Sequence, residues 1–263
     1  MIDARDGRGE AARLEAEAVS LASAGVDVIV TQGSVPTEAA KRATSRIPIV
    51  FGGAGDPVGR GLVSGLARPG GNVTGHVMDL AYGKAYEIMR EIAPARRRAG
   101  LLFAQQGFSP AYREAFIAER RAAAEGVGFT LTPLSVNVPA DIEPALEALA
   151  KAGGDVVLVP SAPLLFAERR SVFSLALRYR LASACGEMSS GEAGCLVTYS
   201  EDVNEGYRRA AGLVARILKG VKPADLPVEQ STMFKLIVNL KTATALGIAV
   251  PPSILARADE VIE

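Results

Sequence analysis

At 263 residues, 49% of them hydrophobic, the chain can build one large domain or two small ones. Lys plus Arg equals Asp plus Glu, 29 each, which argues against a nucleic-acid binder that depends on a basic face. No run of about 18 apolar residues occurs, so no transmembrane helix is expected, and the polar, charged residues 1–20 do not read as a signal peptide.

Ile2 to Gly25 reads as one helix, with Ala11, Leu14, Ala18, Leu21 and Ala22 on one face and Gly25 at its C-terminal stop. A helix that feeds a buried strand is the second half of a βαβ unit. An N-terminal strand and helix are therefore expected to have been lost, by truncation or a misplaced start. Val28–Val30 and Ile47–Phe51 are short runs rich in Val and Ile that read as buried parallel strands. Ser34 and Pro36 open a helix through Ala43, with Ser34 as its cap. Asp56-Pro57 opens a second helix, Val58–Ala67. Asn72–Met78 is a strand and Leu80–Ile92 a helix.

A new series follows the break at Pro94–Arg98. It runs strand Ala99–Ala104, helix Ala111–Gly126, strand Phe129–Leu134, helix Asp141–Gly153 and strand Asp155–Pro160. Helix Leu165–Tyr179 and strands Leu181–Cys185 and Gly194–Tyr199 complete it. Helix Asn204–Lys219, strand Phe234–Asn239 and helix Leu240–Leu246 close the chain. Alternating strands and helices predict an α/β fold: two Rossmann-like lobes with parallel sheets and helices on both faces.

In open α/β sheets, ligands bind at the carboxyl ends of the strands. Five loops there carry polar groups. Gln32, Ser34 and Thr37 surround a helix N-terminus, which favours a carboxylate. Gly52–Pro57 follows a strand but spells neither the dinucleotide fingerprint nor the P-loop pattern. Asp56, as a helix cap, would compete with a phosphate for the same amides, so a ligand-facing role for Gly53 to Asp56 is expected instead of a nucleotide site. Gln105-Gln106 and Ser161-Ala162 hold the corresponding positions in the second series and are hydrogen-bonding, not acid–base, groups. Glu187 and Glu192 flank Ser189-Ser190-Gly191, either as a solvated loop or as carboxylates for acid–base work or for a ligand ammonium.

His76 is the only imidazole, and no G-x-S-x-G elbow accompanies it. Cys185 and Cys195 lack the spacing of a zinc site and are expected to be small apolar residues, a disulfide between them being the alternative.

The order of these pieces resembles the ABC-transporter substrate-binding proteins of the type I periplasmic fold, in the branch with tryptophan- and tyrosine-binding members. Val28–Ala39, Ile47–Gly75, Gly194–Gln230 and Phe234–Glu263 carry the likeness; DPVGRGLVSGLARPGGNVTG and ILKGVKPADLPVEQ are its most specific blocks. The resemblance implies two lobes joined by three crossings, near Thr74–Asp79, Tyr199 and Gln230. Lobe one would be residues 1–78 plus about 200–228, and lobe two residues 79–199 plus about 229–263. It implies a small ligand held between the lobes, an amino acid or related carboxylate, passed to an ABC permease in the periplasm. No catalysis, cofactor or metal is implied. The ligand would meet Gln32, Ser34, Thr37, Gly53 and Asp56 from lobe one, and Gln105, Ser161 and Glu187 from lobe two. Set against the resemblance, the leader and first strand are expected to be missing, and the lobe-two loops diverge. A ligand-sensing regulatory domain shares this architecture. A cofactor-free racemase would need one Cys per lobe, whereas both Cys fall in lobe two.

Overall fold

The computed structural model describes residues 1–7, 10–78, 82–105, 108–201, 203–230 and 233–263. In chain order the elements are α1 (Ala11–Ser23), β1 (Ile29–Gln32), α2 (Ser34–Ala43), β2 (Ile49–Ala54), β3 (Val73–Val77), α3 (Tyr82–Ile92), β4 (Arg98–Ala104), α4 (Pro110–Gly126) and β5 (Thr130–Val136). They continue as α5 (Ile142–Lys151), β6 (Val156–Val159), α6 (Pro163–Ala167), α7 (Arg169–Arg178), β7 (Ala182–Cys185), β8 (Val197–Glu201), α8 (Val203–Leu218), β9 (Glu229–Gln230), β10 (Phe234–Asn239), α9 (Leu240–Leu246), α10 (Pro252–Leu255) and β11 (Glu260–Ile262). The chain divides into two compact units. Unit one is Met1–Asp79, Gln106–Phe108 and Asp202–Met233; unit two is Leu80–Gln105, Ser109–Glu201 and Phe234–Glu263.

Unit one is built on a parallel sheet of order β1-β2-β3-β9. Consecutive side chains of a strand point to opposite faces. Ile49 and Phe51 accordingly join Ile29, Val73 and Ala40 in one buried cluster. Val50, between them in sequence, packs on the other face with Ala210, Leu213 and Ile217 of α8. Apolar residues at every position of β2 are thus explained by helices on both faces. A Cβ at Gly75 would stand 2.2 Å from the Phe51 carbonyl oxygen, so only glycine lets β3 lie against β2 at that point.

Unit two carries a seven-stranded sheet of order β11-β10-β8-β7-β6-β4-β5. β5, β4, β6, β7 and β8 run parallel. β10 pairs antiparallel with β8, Ile237 opposite Thr198, which departs from the all-parallel expectation. Leu102, Val157 and Val159 of the sheet are buried with Leu146 and Leu149 of α5 and Phe173 of α7. A Cβ at Gly100 would come within 2.5 Å of a Leu149 methyl, so α5 seats directly on β4 there.

Three further local readings differ. Residues 58–67 form turns (to Gly61) and then bends and irregular backbone, not a helix. Gly61 is left-handed (φ +66), and the Lys41 ammonium takes the Gly61 and Leu62 carbonyls that a helix would use internally. The helix read at 165–179 is two helices, α6 and α7, with Glu168 at φ −92, ψ 9 between them. The helix read from Ile2 forms only from Ala11. The predicted start of α3 at Leu80, and Gln106, lie outside the described residues.

Candidate functional site

In unit one, β1 and β2 lie side by side with Gln32 opposite Gly52, so their following loops share one carboxyl edge. Gly33, left-handed at φ +79, is the residue that caps α2; Ser34 is its first helical residue and makes no capping bond. The Ser34 hydroxyl instead donates to the Gly55 carbonyl (3.0 Å) and accepts from the Gly55 amide (3.1 Å), tying α2 to the end of β2. Thr37 is fully buried, donates to the Gly33 carbonyl at 2.6 Å, and lies 2.8 Å from the Thr31 hydroxyl. Ser34 is therefore engaged with the Gly55 backbone, and Thr37 with the Gly33 carbonyl and the Thr31 hydroxyl.

The glycine run is not a phosphate loop. Gly52, Gly53 and Ala54 belong to β2, with a register shift between Gly52 and Ala54. No helix follows to supply amides, because residues 57–61 are turns. Gly53 is left-handed (φ +76), and a Cβ there would approach the Met78 methyl to 2.9 Å. Asp56 is exposed and left-handed (φ +43), and its Oδ1 accepts from the Gly59 amide at 2.9 Å.

Two features of this edge were not legible in the sequence. The Tyr207 hydroxyl, in the first turns of α8, donates to Gln32 Oε1 at 2.6 Å across 175 residues of sequence. Arg60 pairs with Glu38 at 2.6 Å, both side chains about nine-tenths buried, and its guanidinium lies 4.7 Å from the centre of the Phe108 ring. Burial pushes the Glu38 carboxyl above its ordinary value, against the opposing pull of Arg60.

In unit two, β4, β6 and β7 are consecutive neighbours, so Gln105, Ser161 and Glu187 follow three adjacent parallel strands at one edge. Gln105 Oε1 accepts from Arg113 at 3.3 Å. Ser161 is exposed, just before the short helix α6. Glu187 caps a single 3-10 turn, accepting from the Ser189 amide at 3.1 Å and the Ser189 hydroxyl at 2.6 Å. Glu192 is exposed. Cys185 and Cys195 are joined in a disulfide, with Cα atoms 6.6 Å apart, contrary to the expectation of two free apolar residues. The bond closes the loop that carries Glu187. His76 is buried within β3. Among the described residues no group of three or more His, Cys, Asp or Glu forms a metal site, and no helix is long and apolar enough to cross a membrane.

Chemically, the unit-one edge offers a carboxamide (Gln32) and a carboxylate (Asp56), and the unit-two edge a carboxamide (Gln105), a hydroxyl (Ser161) and a carboxylate (Glu187): groups that bind by hydrogen bonding.

The family model described as ABC transporter substrate binding protein matches residues 1–262. A tyrosine-binding protein of Clostridioides difficile (strain R20291) is 24% identical over 245 residues, covering 93% of this chain and 70% of the relative. The structure of an ABC domain in complex with L-Trp from Streptococcus pneumoniae superposes with a TM-score of 0.90 at 26% identity, over 97% of this chain and 85% of that one. A conserved domain protein from Vibrio cholerae reaches 0.89 at 28% identity, over 96% and 84%. The fold is that of type I periplasmic binding proteins.

Proposed function

The chain belongs to the ABC transporter substrate-binding protein family, and from that premise we propose that it is the ligand-capturing component of an importer for a small carboxylate, an aromatic amino acid above all. The observation that carries this reading is the pair of polar strand-end edges, one in each unit, built from hydrogen-bonding groups. Gln32, Gly53 and Asp56 contact the ligand from unit one, and Gln105, Ser161 and Glu187 from unit two. Ser34 and Thr37 serve by holding the unit-one loop in shape. Asp56 and Glu187 are the carboxylates available to a ligand ammonium. A relative named as tyrosine-binding and a structural neighbour solved with L-Trp support the aromatic class. The Cys185–Cys195 disulfide fits an oxidising compartment outside the cytoplasm, where such a protein meets its permease.

A thermal-shift screen over amino acids and small aromatic carboxylates tests the proposal. A ligand at about 100 times its Kd stabilises the folded state by roughly 2.7 kcal/mol. A rise in Tm confined to aromatic amino acids supports the reading. A cooperative melt that no amino acid or carboxylate shifts overturns it.

A further inference from the structure

Tyr207 stands where a side chain of α8 can act on the end of β1. α8 approaches the sheet closely there. A Cβ at Gly206 would lie 3.4 Å from the His76 ring, so a glycine lets the helix settle over β3. The Tyr207 ring passes within 3.8 Å of the position a Gly52 side chain would take, and the residue is 41% exposed. Its hydroxyl then reaches Gln32 Oε1 at 2.6 Å. Burial pushes the phenol pKa up, so the hydroxyl keeps its proton and remains a donor at neutral pH.

An exposed glutamine at the end of a strand ordinarily samples several rotamers, and its carboxamide has no preferred sense. A donor held on Oε1 removes that freedom. One of the oxygen's two lone pairs is taken, which fixes the sense of the carboxamide, and the two Nε2–H groups are the donors that this exposed residue has to offer at the carboxyl edge of the sheet. A carboxamide fixed in this sense favours an acceptor and disfavours an ammonium.

We propose that Tyr207 is a positioning residue that holds Gln32 as a hydrogen-bond donor, and that the pair selects ligands presenting a carboxylate over those presenting the corresponding amide. This rests on the small-carboxylate reading above and adds to it the group that reads the acid and the residue that orients that group. The sign is physical: a carboxylate accepts from Nε2–H more strongly than a carboxamide oxygen does.

The test uses the full chain, isotopically labelled at glutamine nitrogen. Gln32 is one of four glutamines, with Gln105, Gln106 and Gln230, and its side-chain NH2 pair is identified by its loss in Gln32→Glu. Tyr207→Phe removes the hydroxyl and keeps the ring. The expected result is a shifted or exchange-broadened Gln32 NH2 pair in Tyr207→Phe without ligand. Calorimetric titration with L-tryptophan should show binding weakened about three- to tenfold in that variant, the worth of one neutral hydrogen bond. L-tryptophanamide should be affected less, so the acid-to-amide preference narrows. Gln32→Glu should keep its melting temperature and lose L-tryptophan.

A Gln32 NH2 pair that Tyr207→Phe leaves unchanged overturns the proposal. So does a variant that lowers both affinities equally, because a merely structural tyrosine would do that. Wild-type protein whose melt neither L-tryptophan nor any other amino acid or small carboxylate shifts overturns the ligand reading and this inference with it. Binding by the wild type with an unaltered preference in Tyr207→Phe overturns the inference alone.

Discussion

The two units hold the loop at a strand end by different means. In unit one a serine hydroxyl makes two hydrogen bonds to Gly55, and a buried threonine pair secures the turn into α2. In unit two a disulfide closes the loop after β7, and the Glu187 carboxylate caps the turn inside it. The difference teaches that polarity at a strand end does not by itself mark a group offered to a ligand. Ser34 and Thr37 are polar and spent within the protein; Ser161 is polar and open.

The largest effect should come from the covalent clamp. Replacing both cysteines, Cys185→Ala with Cys195→Ala, should lower stability by about 2–4 kcal/mol in denaturant melts. If the loss is near zero, the unit-two clamp is not the stronger of the two.

Next are the glycines that let each sheet close. Gly75→Ala drives a methyl into the Phe51 carbonyl oxygen, whereas Gly100→Ala meets the ends of leucine side chains that can rotate. Overpacking costs about 1–3 kcal/mol, and the backbone clash should sit at the upper end. Equal losses would mean that β3 can slide away from β2.

The serines sharpen the comparison directly. Ser34→Ala leaves the Gly55 amide and carbonyl without their partner and should cost about 1–2 kcal/mol, with ligand affinity following stability. Ser161→Ala should stay within about 0.5 kcal/mol of the wild type and weaken ligand binding. A reversal of these two outcomes would move the ligand-facing role to Ser34.

The smallest effect concerns Glu38. Its folded pKa is raised by burial above the ordinary 4.5. The protonated form is therefore favoured by folding, and the stability it contributes is complete below pH 4.5 and declines as pH rises through the folded value. Tm measured against pH should show this decline in the wild type and a flatter profile in Glu38→Gln. Identical profiles would mean that Arg60 compensates the carboxylate fully.

Much of the architecture was legible before any coordinates. β10 and α9 were bounded to the residue, and α2, α4 and α8 to within one, because their apolar spacing and punctuation by Gly and Pro are local signals. The strand-end positions of Gln32, Gly53, Gln105, Ser161 and Glu187 follow from the same alternation. The segment 58–67 misled because its helix-like composition is overridden by Lys41, which lies about twenty residues upstream and takes the carbonyls. β9 and β11 were missed because two- and three-residue strands carry no periodicity and exist only through their pairing.

What the sequence determined alone was the alternating α/β plan and the family, since both live in short-range patterns: the 3.6-residue and 2-residue periods, the capping residues and the contiguous blocks such as DPVGRGLVSGLARPGG. What only the tertiary structure decided was which polar groups are spent and which are open. The bond between Tyr207 and Gln32, the Arg60–Glu38 pair, the Ser34 bridge to Gly55 and the disulfide join residues whose separation in the chain ranges from 10 to 175. A hydrogen bond depends on distances of a few tenths of an ångström, and those are set by how helices and sheets pack, not by the order of residues along the chain.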